Sequence, residues 1–173
     1  MSRVTVKVGG LPELIRGLRD NAGLAKPFEK AFHRIGLEGS SASKKMAPVD
    51  TGLLRNRITY EVDKSPFPTF VRIGTIGSGK VNYAAYMEFG TGMAHDHPSW
   101  PKKPHRIPPG VLDAWAKRKS RSGEDWNAYT IGRNIMKRGG LVPRRFLRTP
   151  FEASRFKYVR LLSDALKEAR LDG

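Results

Sequence analysis

Alternating and helical patterns of apolar residues divide the first half of the chain into successive elements. Strict alternation predicts strands over 3–8, 58–62 and 69–73, because side chains alternate between the two faces of a strand. Helical spacing predicts a short helix over 11–18 and a longer one over about 24–46. The predicted buried face of the longer helix consists of Phe28, Ala31, Phe32, Ile35, Gly39, Ala42 and Met46.

Helical patterns dominate the second half of the chain. One helix is expected after Pro108-Pro109, because proline suits a first helical turn. A second is expected from 123–125 to the Gly139-Gly140 stop, with acidic residues at its start. A last helix is expected over about 150–171. The proline-rich stretch 94–108 between sheet and helices predicts an extended arm.

These elements predict an α+β fold. The two strands after residue 57 should pair antiparallel as a small sheet, packed against the long helix of the first half and the C-terminal helix. Residues 1–173 are expected to form a single domain, with a loop and a two-helix insertion at about 94–140. Gly36 and Gly39 each cost about 1 kcal/mol in a helix relative to Ala, so we expect either another backbone to come close there or a simple kink.

Two blocks rich in turn-forming residues flank the predicted sheet in the sequence. In the first, Pro48 stops a helix, and Asp50, Thr51 and Gly52 are turn and N-cap residues before a new start. The second block is Tyr83 to Gly92, in which three aromatic residues surround one acid, Glu88. Its end, Gly90-Thr91-Gly92, permits a sharp backbone turn. Packing and turn formation are the simplest interpretation of both blocks.

The composition gives the chain a strong positive charge and excludes some types of covalent link and metal site. The formal net charge is +16, and residues 101–173 hold 18 Lys and Arg against 7 Asp and Glu. Such a balance indicates an acidic partner, either nucleic acid or an acidic protein surface, although a solvated face also accounts for it. The absence of cysteine excludes disulfides and thiolate sites and fits a reducing compartment. No apolar run approaches a membrane span, so no membrane contact and a cytoplasmic product are expected.

Candidate reaction chemistry is sparse. The stretch Gly74 to Lys80 resembles a phosphate-binding loop, but Val81 stands where that loop needs a hydroxyl residue. His95, His97 and His105 could supply zinc ligands, yet no acidic cluster completes a site, and surface histidines are the default interpretation. We therefore expect no enzyme activity, no cofactor and no bound metal.

Three blocks in order, the two turn blocks and a third from Pro143 to Arg148, resemble the tail-component proteins of long-tailed bacteriophages. These are the lambdoid gene-ten-product type, described as tail completion or head–tail joining proteins. The resemblance covers roughly residues 1–170. Its motif residues, expected to serve fold and assembly, are Pro48, Asp50, Thr51, Gly52, Leu53, Arg55, Tyr83, Glu88, Phe89, Gly90, Thr91, Gly92, Pro143, Phe146 and Leu147.

The resemblance implies a structural virion protein of the neck, present in the host cytoplasm during assembly. It implies a homo-oligomeric ring, a hexamer, that joins the head connector to the tail terminator or tail-tube proteins. Weak contact with DNA is compatible with this position. The long segment 94–140 departs from the family pattern and leaves open which surface meets which neighbour. The alternative hypothesis is a non-sequence-specific nucleic-acid-binding protein that uses its basic C-terminal half.

Overall fold

The apolar stripe that follows residue 24 forms a long helix, α1 (Ala25–Met46), in a computed structural model of the protein. Phe28, Phe32 and Ile35 are at most 3% exposed, as the helical spacing predicted. The helix ends at Met46 because Pro48, two residues later, cannot continue it. Met46 itself is 46% exposed, so its predicted place on the buried face is wrong.

The structure describes residues 25–63, 70–75, 83–104, 107, 110, 112–120 and 127–171. Three predicted features lie outside these residues: the strand over 3–8, the helix over 11–18 and most of the stretch from Gly74 to Lys80. The remaining elements are α2 (Leu53–Arg57), β1 (Ile58–Val62), β2 (Val71–Thr75), α3 (Tyr83–Phe89), α4 (Asp113–Ser120), α5 (Ala128–Lys137) and α6 (Arg148–Leu171). The predicted α+β fold is confirmed.

Strands β1 and β2 form an antiparallel pair, as predicted. Ile58 pairs with Thr75, Tyr60 with Ile73, and Val62 with Val71. Because successive side chains of a strand point to opposite faces, these apolar residues share one face of the sheet. That face packs against α1.

Gly36 and Gly39 provide the room for this packing. The ring of Tyr60 occupies the position of a Cβ atom at Gly36, and the end of the Ile73 side chain does the same at Gly39. The expected close approach is therefore made by two sheet side chains rather than by a backbone. A side chain at either position would require the Tyr60 ring or the end of the Ile73 side chain to move.

Helix α6 packs its apolar face against the same core. Tyr158, Leu162 and Ala165 join Phe28 and Phe32 in one buried cluster. At the edge of this contact, Nζ of Lys157 lies 2.7 Å from a carboxylate oxygen of Glu38. Nε of Arg34 approaches the other oxygen at 3.3 Å. The Lys157 hydrogen bond, followed by that of Arg34, lowers the pKa of Glu38 below its ordinary value.

The chain divides into two compact units. The first comprises residues 1–84 and 145–173, and it contains α1, the sheet and α6. The second comprises residues 85–144, and it contains α4 and α5. None of the helices within the described residues is long and apolar enough to cross a membrane.

Candidate functional site

The first motif block forms the turn between α1 and β1. Gly52 has φ 78° and is the N-cap of the short helix α2, where no side chain caps the helix. Positive φ is accessible to glycine without a steric penalty, so this residue type fits the turn. Leu53 is 55% exposed, while the neighbouring Leu54 is buried. The block therefore fixes the backbone here and leaves Leu53 at the surface.

The second motif block ends helix α3 in a tight turn. Gly90 and Gly92 have φ values of 79° and 70°, as the glycine spacing predicted. Glu88 is 1% exposed, and Thr91 is 7% exposed. Acidic side chains are almost never buried to this degree unless they are paired.

This turn is bonded to the segment that leads into the third block. The backbone N–H of Thr91 donates to the carbonyl of Leu141 at 2.9 Å. The N–H of Leu141 donates in return to the Thr91 hydroxyl at 3.0 Å. The N–H of Met93 donates to the Gly139 carbonyl at 2.6 Å, and that of Arg144 donates to the Met87 carbonyl at 2.8 Å. Two motif regions about fifty residues apart in sequence thus form one structure.

Two glycines make this close pairing possible. A Cβ atom at Gly90 would meet the Leu141 carbonyl oxygen and would lie 2.9 Å from the ring of Pro143. A Cβ atom at Gly140, where φ is 135°, would meet the Thr91 carbonyl group. Both positions therefore need glycine for two reasons, the available space and the backbone conformation. The motif residue Pro143 belongs to the same packed contact.

The third block starts helix α6. Phe146 is fully buried and Leu147 is 8% exposed, so both side chains pack in the interior at the start of α6. The preceding residue, Arg145, has φ 48°, a backbone conformation that is uncommon for residues other than glycine. The N–H of Thr149 donates to the Arg145 carbonyl at 2.9 Å and closes the first turn.

A cluster of aromatic rings surrounds Trp100 in the second unit. The His97 ring stacks on Trp100 with centroids 4.4 Å apart and planes 16° from parallel. Tyr86, Phe89 and His95 meet the same indole edge-on, at 5.7, 5.9 and 5.9 Å. Trp100 is thus the centre of this cluster, a role that the proline-rich sequence around it did not indicate.

The interpretation of these histidines as surface residues is wrong for His95, whereas His97 is half-buried. His95 is 3% exposed, and its Nε2 lies 3.4 Å from the Pro101 carbonyl. Nδ1 of His97 accepts the Ser99 N–H at 3.1 Å. Imidazole rings are flat and partly apolar, so they pack against an indole as aromatic side chains do. His105 lies outside the described residues.

The buried polar side chains of the second unit are Glu88, Thr91 and His95 among the described residues. Within the described ranges, no three His, Cys, Asp or Glu side chains are placed to hold a metal ion. Nδ1 of His95 is buried and has no hydrogen bond to another described atom. The Trp100 indole meets this imidazole edge-on, with ring centroids 5.9 Å apart.

The structure places the motif residues in turns and packed contacts. It brings Gly90, Thr91 and Pro143 together, and it buries Glu88, Phe146 and Leu147. Tyr83 begins helix α3, and Phe89 ends it within the Trp100 cluster. The remaining motif residues, Pro48, Asp50, Thr51 and Arg55, flank the Gly52 turn at half-buried or exposed positions.

Comparison of the chain with models of protein families, with curated proteins and with solved structures gives no match.

Proposed function

We propose that the protein is a structural component of a bacteriophage neck, which forms a ring between the head connector and the tail during assembly. The observation that carries the proposal is the pairing of the Gly90-Thr91-Gly92 turn with residues 139–144. It gives two of the three motif blocks a common structural purpose. A family signature made of turn glycines and buried anchors concerns fold and assembly rather than catalysis.

The burial of the motif acid supports the same conclusion. In an enzyme, a motif acid would face a substrate cleft with its pKa tuned for proton transfer. Glu88 is 1% exposed. Gly52, Gly90 and Gly92 supply backbone conformations, and Phe146 supplies a buried anchor. None of these five residues provides an accessible reacting group.

Phage assembly in the absence of the protein tests this proposal. In lysates of a phage that lacks this protein, electron microscopy should reveal DNA-filled heads and separate tails. Addition of the purified wild-type protein should join them and restore infectivity. Empty or absent capsids in the deficient lysate would place the protein at an earlier step. Joined virions without the protein would refute the proposal.

The positive charge favours nucleic-acid binding as a second candidate function. Arg155 and Arg160 on α6 and Arg133, Lys137 and Arg138 on or after α5 are exposed. Exposed Arg and Lys side chains can pair with DNA phosphates without contacting the bases. Any DNA binding should therefore be weak, independent of sequence and steeply dependent on salt. A tight, sequence-selective complex that survives near-physiological salt would favour this alternative over the neck.

A further inference from the structure

Helix α5 carries an exposed stripe that its packing does not use. Tyr129, Arg133 and Met136 occupy positions i, i+4 and i+7, which lie on one face of a helix. Tyr129 is 75% exposed and Met136 is 42% exposed. Gly132, which lies beside the stripe, three residues after Tyr129 and four before Met136, is buried, and a Cβ atom there would lie 3.6 Å from the Leu112 side chain. The three side chains of the stripe are therefore exposed at the surface of the second unit, next to the side of α5 that packs toward Leu112.

Met93 extends this stripe beyond the end of the helix. It is 49% exposed, and its N–H donates to the Gly139 carbonyl at 2.6 Å. The N–H of Gly139 donates in turn to the Met136 carbonyl at 2.9 Å. The turn after α5 thus holds the Met93 backbone against Gly139, which is itself bonded to Met136 three residues earlier. We name the set Met93, Tyr129, Arg133 and Met136 the α5 patch.

The composition of the α5 patch is that of a protein-binding surface. Tyr, Met and Arg are enriched at the centres of protein–protein interfaces relative to the rest of the surface. Thioether side chains are flexible and polarisable, so they adapt to the shape of an apolar partner. Tyr129 adds a large rigid ring, a type common among residues that dominate binding energy.

The charge around the patch defines the partner. Arg133, Lys137 and Arg138 are exposed, and none of them forms an ion pair with another described residue. The whole chain carries a formal charge of +16, so a second copy would bring net like charge to this face. DNA phosphates would pair with the cations, but DNA would offer no apolar side chains to cover Met93 and Met136. An acidic protein segment with apolar side chains satisfies both.

We propose that the α5 patch is a docking surface for an acidic, amphipathic segment of a different protein. Apolar side chains of the partner cover Met93, Tyr129 and Met136, while its carboxylates pair with Arg133 and the adjacent Lys137 and Arg138. The proposal gives the segment 94–140 a role of its own, and it stands whether or not the protein belongs to a phage neck.

The methionines permit a site-specific test. The chain contains five, and labelling their methyl carbons gives a separate NMR signal for each. The probe is a synthetic helical peptide with leucines on one face and glutamates on the other. We expect the Met93 and Met136 methyl signals to shift on titration while Met46, also exposed but in the first unit, stays unchanged. A peptide with serine in place of leucine should bind at least about tenfold more weakly.

Variants complete the test. Tyr129→Ser and Met136→Ser should each weaken binding of the leucine peptide about tenfold, and Arg133→Glu should weaken it by a similar factor. Phe156→Ser is the matched control, since Phe156 is 77% exposed on α6 in the first unit, and it should leave binding unchanged. Thermal unfolding confirms that the exposed substitutions leave the fold intact.

Four results would overturn the proposal. Equal binding of the leucine and serine peptides would reduce the interaction to charge alone. Shifts of Met46 as large as those of Met93 and Met136 would show that the patch is not selective. Tighter binding of a DNA duplex, with shifts of the same two methyls, would make the partner a nucleic acid. Concentration-dependent shifts of these methyls without peptide would make it a second copy.

Discussion

Thr91 and Leu141 are joined by two hydrogen bonds that run in opposite directions. The Thr91 N–H donates to the Leu141 carbonyl, and the Leu141 N–H donates to the Thr91 hydroxyl at 3.0 Å. Thr91 is 7% exposed, so water cannot readily replace its hydroxyl. One side chain therefore satisfies a backbone group fifty residues away.

The hydroxyl, rather than the size of the side chain, should determine stability at this position. Thr91→Val keeps the shape but leaves the Leu141 N–H without its acceptor, and it should cost about 1–3 kcal/mol. Thr91→Ser keeps the acceptor and should cost clearly less. All three tryptophans lie within residues 85–144, so tryptophan fluorescence in a denaturant titration reports on this unit. Equal losses for the two variants would contradict the role of the hydrogen bond.

Gly90 and Gly52 separate the effect of space from that of backbone conformation. Their φ values are nearly the same, 79° and 78°, but only Gly90 has backbone atoms where a Cβ would lie. Gly52→Ala should therefore cost about 1 kcal/mol, from positive φ alone. Gly90→Ala should cost about 1–3 kcal/mol more, and Gly90→Val should be worse still. The free energies of unfolding from denaturant titrations test the order; comparable losses for the two alanine variants would show that the contact relaxes freely.

Elements with a strong local pattern were predictable from the sequence. Helix α1 and the antiparallel strands follow from apolar periodicity, and the turns at Gly52, Gly90 and Gly92 follow from glycine chemistry. Asn127 carried a local signal that the prediction missed. Its side chain caps α5 by accepting from the N–H groups of Tyr129 and Thr130, so the helix begins at Ala128 rather than at 123–125.

The long-range contacts of the candidate site were not predictable in this way. The pairing of Thr91 with Leu141 joins two irregular segments, which have no periodicity to reveal a partner. His95 has a polar side chain and lies in a proline-rich stretch, yet it is buried and meets the Trp100 ring. Its burial depends on which rings the folded chain places around it, and a single sequence does not encode that locally.

Glu38 should make the first unit more sensitive to acid. The Lys157 hydrogen bond and then that of Arg34 lower its folded pKa below the ordinary value of 4.5. A lowered carboxyl pKa contributes stability above the unfolded pKa, and this contribution is lost as the pH falls through the folded pKa. Because the Glu38 side chain is 28% exposed, the gain should stay below about 1 kcal/mol.

Replacement of Glu38 by Gln isolates this contribution. Relative to wild type, Glu38→Gln should be less stable at pH 7, and the difference should shrink progressively below about pH 4.5 as the wild-type carboxylate is protonated. Glu152→Gln, at an exposed position on α6, is the matched control and should show little difference at either pH. Urea titrations across this range measure both. A difference between Glu38→Gln and wild type that is independent of pH would refute the electrostatic explanation.

Phe146 should be among the strongest stabilising side chains of the first unit. It is fully buried directly before α6, so truncation to Ala removes apolar contacts and leaves a cavity. Phe146→Ala should therefore cost about 3–5 kcal/mol. Phe156→Ala removes the same atoms from a side chain that is 77% exposed, and it should change stability by no more than about 0.5 kcal/mol. Far-ultraviolet circular dichroism during urea unfolding compares the two. A loss of less than about 1 kcal/mol for Phe146→Ala would mean that α6 is held by its contact with α1 alone, and that the third motif block serves another purpose than anchoring.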